Sequence, residues 1–527
     1  MNFISVSFIV FLAVTVGAYY LLPKKYAWCA LLAASCVFYL WGGGYKTVLY
    51  LVFTAALTFF AGILLERLND KKSEIPKSEK ALQDGITKRK KAVVAVVCAV
   101  LFAMLYVLKY LDFTVNIFVS LISAFGKTVE PSVPNLLVPL GVSFYIFQSV
   151  GYVVDCYRGK YKAQHNFLKY ALFVSFFPQI VQGPISRYDQ LGTQLTSPAQ
   201  LNTDNLRDGI QRMMWGYFKK MVIADRAAVA VTAFFRHYDD YGGAVTAFSV
   251  LMYCINLYCD FSGGIDITIG AAKLFGITME ENFGRPIFAQ SLSEYWRRWH
   301  ITLGGWMRDY VFYPLSLSKP FGKLGKWSRS KIGGKFGKIL PTTLATFIIY
   351  LIIGIWHGAN FRYIAYGFYN GLIITSSVLL AGVYSGAKKK LHINSDSRGW
   401  KIFSMLRTAL VVFVGRYITR SPRLIVAFQL IIKTLNPLSL HIHELWDGTV
   451  IGMGLSLSDY IVIGVSTLFL LAVEFYEEKR GETVLSVVNK KHGAVQFAVL
   501  LASLLVILFF GIMRGSYISS EFIYKQY

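Results

Sequence analysis

The chain has 527 residues, of which 55% are hydrophobic and only 16% are charged, and its formal net charge at pH 7 is +25. In soluble proteins, about a quarter of the residues are usually charged. The composition therefore excludes an ordinary soluble enzyme, and the basic balance of so apolar a chain indicates contact with anionic lipid rather than nucleic-acid binding.

Long apolar runs begin near the first residue and recur along the whole chain. Residues 3–22 carry no charge and are long enough to cross a hydrocarbon core of about 30 Å as a helix. Similar runs follow at 26–41, 47–65, 92–111, 243–258, 340–356, 361–382, 459–473 and 494–512. Shorter or more polar apolar stretches lie near 113–125, 136–154, 167–182, 221–235, 403–414 and 422–434. We predict an all-α polytopic membrane protein with about 10–13 transmembrane or re-entrant helices.

Lysine and arginine cluster between some of these runs. Lys24 and Lys25 follow the first run, and three later loops are basic: nine Lys/Arg lie in 66–91, seven in 316–338 and five in 388–401. Because cytoplasmic loops carry an excess of Lys and Arg, all of these loops are expected in the cytoplasm and the N-terminus outside.

His357 stands at the end of a long apolar run. A helix that starts beyond the basic loop 316–338 carries it about 25 Å inward, and the chain must then turn at 358–360 and return through 361–382. An ionisable side chain at membrane depth is costly and usually faces a cavity or a partner. We expect His357 to line a cavity, and the alternative is a helix-end histidine that caps backbone carbonyls.

The stretch EYWRRWHITLGGWMRDY (294–310) combines tryptophan, arginine and a histidine. As one helix it would place Trp296 and His300 on the same face, with Glu294 and Arg298 spaced for an ion pair. Tryptophan and arginine at this density are typical of a helix at the membrane interface. Two interpretations therefore stay open from these residues: an interfacial helix with an incidental histidine, or the rim of a catalytic site.

Three further polar segments interrupt apolar runs, namely PLGVSFYIFQSVGYVVDCYRGK (139–160), FFPQIVQGPISRY (176–188) and NLYCDFSGGIDITIGAAKLFGI (256–277). Two prolines and a glycine in the second segment predict a broken or re-entrant backbone. In the third segment, Asp260 and Asp266 are expected to belong to a structural polar network that holds helices together. The spacing of cysteine, histidine and aspartate predicts no metal site, and no nucleotide-binding or zinc-protease motif is present.

Taken together, these motifs resemble those of the membrane-bound O-acyltransferase (MBOAT) family, in particular its bacterial branch that acetylates alginate and related exopolysaccharides. The resemblance rests on NFGRPIFAQSLSEYWRRWHITLGGWMRDYVFYPL (282–315) and GIWHGANF (354–361), and the polar segments support it in family order. It implies an MBOAT-type fold with a central funnel in a single polytopic membrane domain, 1–527. Within that domain we expect N-terminal helices in 1–135, a catalytic core in 136–382 and C-terminal helices in 383–527.

The resemblance also implies the residues of a site. His357 matches the family's essential histidine, and His300 matches a second, less strictly required one. Candidates for substrate binding are Trp296, Arg297, Trp299, Asp260, Gln179 and Asn360. Where many relatives carry a further histidine in the returning helix this chain has Asn370, so an auxiliary proton carrier is missing there.

The implied activity is transfer of an acyl group, above all acetyl, from a cytoplasmic thioester such as acetyl-coenzyme A to hydroxyls of an extracytoplasmic polysaccharide. His357 would act as general base or relay, and His300 would orient the acyl group or stabilise the developing oxyanion. The expected location is the bacterial cytoplasmic membrane. The expected partners are the lipid bilayer and an accessory extracytoplasmic acyltransferase, with no bound cofactor.

Two alternatives remain beside this activity. One is D-alanyl transfer toward teichoic acid, which would use the same two histidines. The other belongs to a different class, a polysaccharide transporter or flippase. Such transporters usually have broken helices in two related halves, and the sequence has no such internal symmetry.

Overall fold

The structure is a computed structural model that describes residues 3–127, 136–197 and 199–512. These residues form α-helices, short 3-10 and π-helical turns, and one isolated antiparallel bridge between Phe283 and Trp299. The predicted all-α class is confirmed.

The helices are numbered here in chain order. The first eleven are α1 Val6–Leu21, α2 Ala27–Gly43, α3 Tyr45–Glu74, α4 Lys80–Lys109, α5 Leu111–Ala124, α6 Val142–Arg158, α7 Phe167–Ser175, α8 Thr193–Thr196, α9 Thr203–Tyr217, α10 Asp225–Arg236 and α11 Gly243–Lys273. Those that follow are α12 Leu292–Arg298, α13 Ile301–Met307, α14 Tyr313–Ser316, α15 Lys319–Lys331, α16 Gly334–His357, α17 Phe361–Leu379, α18 Ala381–Lys390, α19 Arg398–Arg420, α20 Leu424–Leu435, α21 Leu457–Arg480, α22 Val484–Asn489 and α23 Gly493–Phe510.

Many of these helices are long and apolar enough to cross a membrane. In the part of the chain that the structure describes, eight segments qualify: Lys24–Gly43, Tyr45–Glu74, Lys80–Lys109, Gly243–Lys273, Phe336–His357, Arg398–Arg420, Leu457–Arg480 and Gly493–Phe510. A ninth is formed by α17 and α18 together, which are bent by 61° at their junction. Three shorter apolar helices, α1, α5 and α20, accompany them. The chain is therefore a multi-pass membrane protein, as predicted.

The charged segments differ from the loops that we expected. Helices α3 and α4 extend into the basic segment 66–91 and leave only residues 75–79 outside a helix, while α15 occupies much of 316–338. Helix α3 continues through 66–74 because lysine, glutamate and leucine are good helix formers and no glycine or proline interrupts it before Pro76. Helices α4 and α15 form although they contain Gly85 and Gly322, respectively. The basic segments are therefore largely helical.

The segment 176–188 breaks the helical pattern as predicted. Helix α7 ends at Ser175, and the next α-helix begins only at Thr193. Almost every residue in between is buried, including Gln179 and Gln182 at 2% and 0% exposure. Irregular backbone is tolerated in a membrane protein when protein covers it, and that is the arrangement observed.

The described residues form two compact units. The first contains residues up to 213 together with 264–280, and the second contains 214–263 together with 281–512. In the first unit, α3 and α4 pack on α6 and α2 packs on α7. Its core is rich in aromatic rings, with Phe177 against Phe11 and Phe38 at centroid distances of 5.2 and 5.9 Å. The predicted single domain with its three segments stays a prediction.

The second unit is built around the antiparallel pair α16 and α17. A Cβ atom on Gly354 would lie 2.5 Å from the Tyr363 carbonyl oxygen and 2.9 Å from the Gly367 Cα. Two facing glycines thus let the helix backbones touch, as small residues commonly do between membrane helices. Helix α15 packs on α16, and α19 packs on both α17 and α20. This close pairing fixes the end of α16, where His357 lies.

Candidate active site

The tryptophan-rich segment is broken at His300. Helix α12 ends at Arg298 and α13 begins at Ile301, because His300 has φ 51° and ψ 53° in the left-handed region. The prediction of one continuous helix is therefore wrong, although the predicted ion pair between Glu294 and Arg298 is present at 2.8 Å. A left-handed backbone is unfavourable for a residue with a side chain, so the surroundings must hold it.

Asn282 holds the backbone that directly follows His300. Its carbonyl oxygen accepts a hydrogen bond from the Ile301 N–H at 3.0 Å. Its side-chain Oδ1 accepts from the Thr302 N–H at 3.1 Å and from the Thr302 hydroxyl at 2.9 Å. The bridge between Phe283 and Trp299 continues the same pairing. These contacts explain how the left-handed turn is stabilised.

Asn282 also determines which nitrogen of His300 carries the proton. The His300 Nδ1 lies 3.1 Å from Asn282 Oδ1. Because the backbone N–H of Thr302 can only donate, the Asn282 atom that faces it is oxygen, and Nδ1 must donate its proton to that oxygen. In a neutral imidazole the lone pair is then on Nε2. His300 is thereby suited to accept a hydrogen bond at Nε2, which favours an orienting role over oxyanion stabilisation by an N–H.

Burial keeps His300 in this neutral form. The side chain is 2% exposed, and its ring packs against Phe261 at a centroid distance of 4.9 Å. This burial lowers the pKa of the His300 imidazole well below 6.5, and the neighbouring His357 lowers it further. The charged form is disfavoured because it would lose its hydration and face a second imidazole.

The lowered pKa predicts how stability depends on pH. Since the folded pKa of His300 lies below the unfolded value of 6.5, its contribution to stability is present above pH 6.5 and is lost as the pH falls below it. Between about pH 7.5 and about pH 5, His300→Gln should therefore lose less thermal stability in detergent than the wild type. His443→Gln is the control because His443 is 65% exposed. Equal losses in the wild type and His300→Gln would contradict the prediction.

His300 lies on the wall of a cavity in the second unit. The cavity has a volume of about 250 Å³ and is mostly apolar; besides His300, its lining includes Trp296, Trp299, Leu303, Ile349, Tyr350 and Ile353. An apolar cavity of about 150 Å³ can bind a molecule such as benzene. The space beside His300 can therefore hold a small apolar group.

His357 is a neighbour of His300 but is not among the residues that line the cavity. It is the last residue of α16 and is half-buried, so its ring is not sealed inside the protein. The Trp356 indole is a neighbour of both histidine rings, with centroid distances of 5.9 Å to His300 and 5.1 Å to His357. The chain turns after His357 at Gly358, which has φ 156°, and returns through α17, as predicted.

The indole of Trp296, on the cavity wall, is held by a hydrogen bond. The Trp296 Nε1 donates a hydrogen bond to Asn370 Oδ1 at 3.1 Å. Asn370 in turn donates to the Tyr366 carbonyl oxygen at 2.8 Å. Asn370 thus orients one wall of the cavity.

The remaining candidates are not among the residues that line the cavity. Arg297 is exposed, and the Asn360 side chain caps α17 by accepting from the Arg362 N–H at 3.0 Å. Asp260 forms a buried ion pair with Lys220 at 2.6 Å, which agrees with the structural role expected for it. Gln179 belongs to the first unit, where its Nε2 donates to Gln148 Oε1 at 2.8 Å. Binding roles for these four residues stay predictions.

The sequence did not point to Asn282 or Tyr350. Asn282 is fully buried and contacts residues 18 to 20 positions away, a separation that no helical periodicity reveals. Tyr350 comes from the middle of an apolar run in α16. The available signals were weak: an amide twelve residues before the tryptophan-rich segment, and a polar hydroxyl inside an apolar run.

The sequence of this chain is similar to those of several known membrane-bound acyltransferases. Residues 158–384 match the family model described as MBOAT, membrane-bound O-acyltransferase family. The probable alginate O-acetylase of Pseudomonas aeruginosa is 33% identical over 80% of this chain and 72% of the relative. The peptidoglycan O-acetyltransferase of Helicobacter pylori is 30% identical over 58% of both chains. The teichoic acid D-alanyltransferase of Bacillus subtilis is 28% identical over 57% of this chain and 74% of the relative.

Proposed function

This chain is a member of the membrane-bound O-acyltransferase family, and we propose that it transfers an acetyl group from a cytoplasmic thioester to hydroxyls of an extracytoplasmic polysaccharide. The observation that carries the proposal is the neutral His300 on the wall of an apolar cavity, with the Trp356 indole next to both His300 and His357. Imidazoles in their neutral form are suited to accept a proton from an attacking alcohol.

The proposed reaction assigns a role to each histidine. His357 accepts the proton of the sugar hydroxyl as its oxygen attacks the thioester carbonyl, and a C–O bond forms. The C–S bond then breaks, and the proton passes from the imidazolium to the departing thiolate. His300 accepts a hydrogen bond at Nε2 and so orients a reacting group in the cavity, while its Nδ1 stays fixed on Asn282.

The lining of the cavity supports acetyl over D-alanyl transfer. A D-alanyl group carries an ammonium, which would need a carboxylate or another counter-charge when it leaves water. The charged side chain in the lining is that of Arg308, a cation, and the described lining residues include no carboxylate. The relatives that act on alginate also match more of this chain than the D-alanyltransferases do, 80% against 57%.

The proposed orientation places the donor on the side of the basic helices. Helix α15 and the start of α16 carry most of the seven basic residues of 316–338, which can attract an anionic donor such as acetyl-coenzyme A. The acceptor would approach from the opposite side, where the N-terminus lies in this orientation. An accessory extracytoplasmic acyltransferase is a further partner in the proposal, and it would move acetyl groups between hydroxyls after the transfer at His357.

The function is tested by removing the gene from its host and restoring it. We expect the exported polysaccharide to keep its amount but to lose its ester-linked acetyl groups, which mass spectrometry of the base-released acids measures. Re-expression of the wild type should restore them. Loss of the polymer itself would favour a transporter, and loss of ester-linked alanine would favour D-alanyl transfer.

A further inference from the structure

A buried cation lies behind the aromatic wall of the cavity. Arg416, on α19, is 5% exposed. Arginine stays charged in proteins, and an uncompensated charge inside a protein is strongly destabilising. Yet Arg416 forms no ion pair with a carboxylate among the residues that the structure describes. Other groups must therefore compensate its charge.

Aromatic residues provide this compensation. The Arg416 guanidinium donates to the Tyr295 hydroxyl at 2.8 Å and to the Tyr366 hydroxyl at 3.3 Å. It also lies over the ring of Trp299, 5.2 Å from the centroid. A flat guanidinium can bond to two oxygens and stack on an indole at once, which an ammonium cannot do.

These contacts join three helices at the residues that shape the cavity. Tyr295, on α12, stacks on Trp299, which directly follows that helix, with ring centroids 5.6 Å apart and an angle of 16°. Tyr366 belongs to α17, and its carbonyl accepts the hydrogen bond from the amide that holds Trp296. Arg416 therefore contacts Trp299 directly and is connected to Trp296 through Tyr366 and Asn370. Both tryptophans line the cavity.

We propose that Arg416 is a positioning residue for the acyl transfer, a role that rests on the proposed function. By holding Trp299 between its guanidinium and the rings of Tyr295 and Phe283, it fixes the residue that directly precedes His300. The left-handed backbone of His300 is thus held from one side by Asn282 and from the other by the Arg416–Trp299 contact. Arg416 is not part of the cavity lining, so it acts through Trp299 rather than on the substrate.

The test is a double-mutant cycle between positions 416 and 299 in the purified full-length protein. Arg416→Met should lower the rate of acetyl transfer by about 10²-fold, because small displacements of a catalytic group cost rates of this size. In a Trp299→Leu background the same change should cost less than about threefold, since the contact is already lost. Arg420→Met is the matched control: Arg420 lies one turn later on α19 and contacts the rings of Phe235 and Tyr253 instead.

Each outcome decides the proposal. The proposal is overturned if the fold-losses in transfer rate of Arg416→Met and Trp299→Leu multiply in the double variant. It is also overturned if Arg416→Met transfers acetyl groups as fast as Arg420→Met. If Arg416→Met does not fold, Arg416→Lys replaces it; the lysine keeps the charge without the planar geometry, so wild-type activity in that variant also overturns the proposal.

The same four proteins also distinguish failure of this proposal from failure of the proposed function. The midpoints of thermal unfolding of the same four proteins are measured alongside the rates. If the wild type transfers no acetyl group, the proposed function fails, and coupling of the midpoints still supports the contact between Arg416 and Trp299. Additive changes in the midpoints overturn that contact whatever the activity.

Discussion

Replacing His357 with alanine should lower acyl transfer by about 10²- to 10⁴-fold, the usual effect of removing a general base. The folded protein should persist at the wild-type level, because His357 is only half-buried at the end of α16. The rate is measured with labelled acetyl-coenzyme A and a soluble sugar acceptor in proteoliposomes.

The control for His357→Ala is the same change at an exposed histidine. His443 lies outside the site with 65% of its side chain exposed, so His443→Ala should keep wild-type activity. His357→Gln adds a second comparison, since glutamine retains a hydrogen bond but cannot take up the proton. Transfer by His357→Ala within about tenfold of the wild type would remove the proposed base.

Much of the architecture around His357 follows from local sequence. Uninterrupted apolar residues predict α16, the glycine after His357 predicts its end, and the next apolar run predicts the returning helix α17. The expectation that the helix pair carries a histidine at its turn is confirmed. Such features are predictable because helix length and helix ends depend on neighbouring residues.

The geometry around His300 could not be predicted in this way. A helical periodicity fits residues 294–310, yet the chain bends at His300 because Asn282 and Trp299 stabilise a conformation that local propensity disfavours. Arg416 contacts Tyr295 from 121 positions away. Contacts at such separations leave no periodic pattern in a single sequence, so the geometry around His300 could not be derived from it.

A second large effect is expected at Lys220, which is buried and is not among the residues that line the cavity. Its Nζ lies 2.6 Å from a carboxylate oxygen of both Asp225 and Asp260, and all three side chains are at most 2% exposed. Lys220→Met would leave two carboxylates facing each other without the cation between them. Removing one partner of a buried ion pair costs about 3–5 kcal/mol, so we expect a loss of stability of this size.

The ion group of Lys220, Asp225 and Asp260 is connected to His300 through Phe261. Asp260 directly precedes Phe261 on α11, and the Phe261 ring packs on His300 at 4.9 Å. Loss of Lys220 should therefore loosen the packing of His300 as well as lower the midpoint of thermal unfolding. Lys323→Met on α15 is the control, because that lysine is exposed and should change the midpoint little.

A further variant separates loss of the lysine from repulsion between the carboxylates. Adding Asp225→Asn and Asp260→Asn to Lys220→Met removes every charge of the group, and replacing all members of a buried ion cluster is often far less costly than breaking it. The triple variant should thus regain part of the lost unfolding midpoint. A triple variant that is less stable than Lys220→Met alone would mean that the two aspartates stabilise the fold through contacts other than their attraction to Lys220.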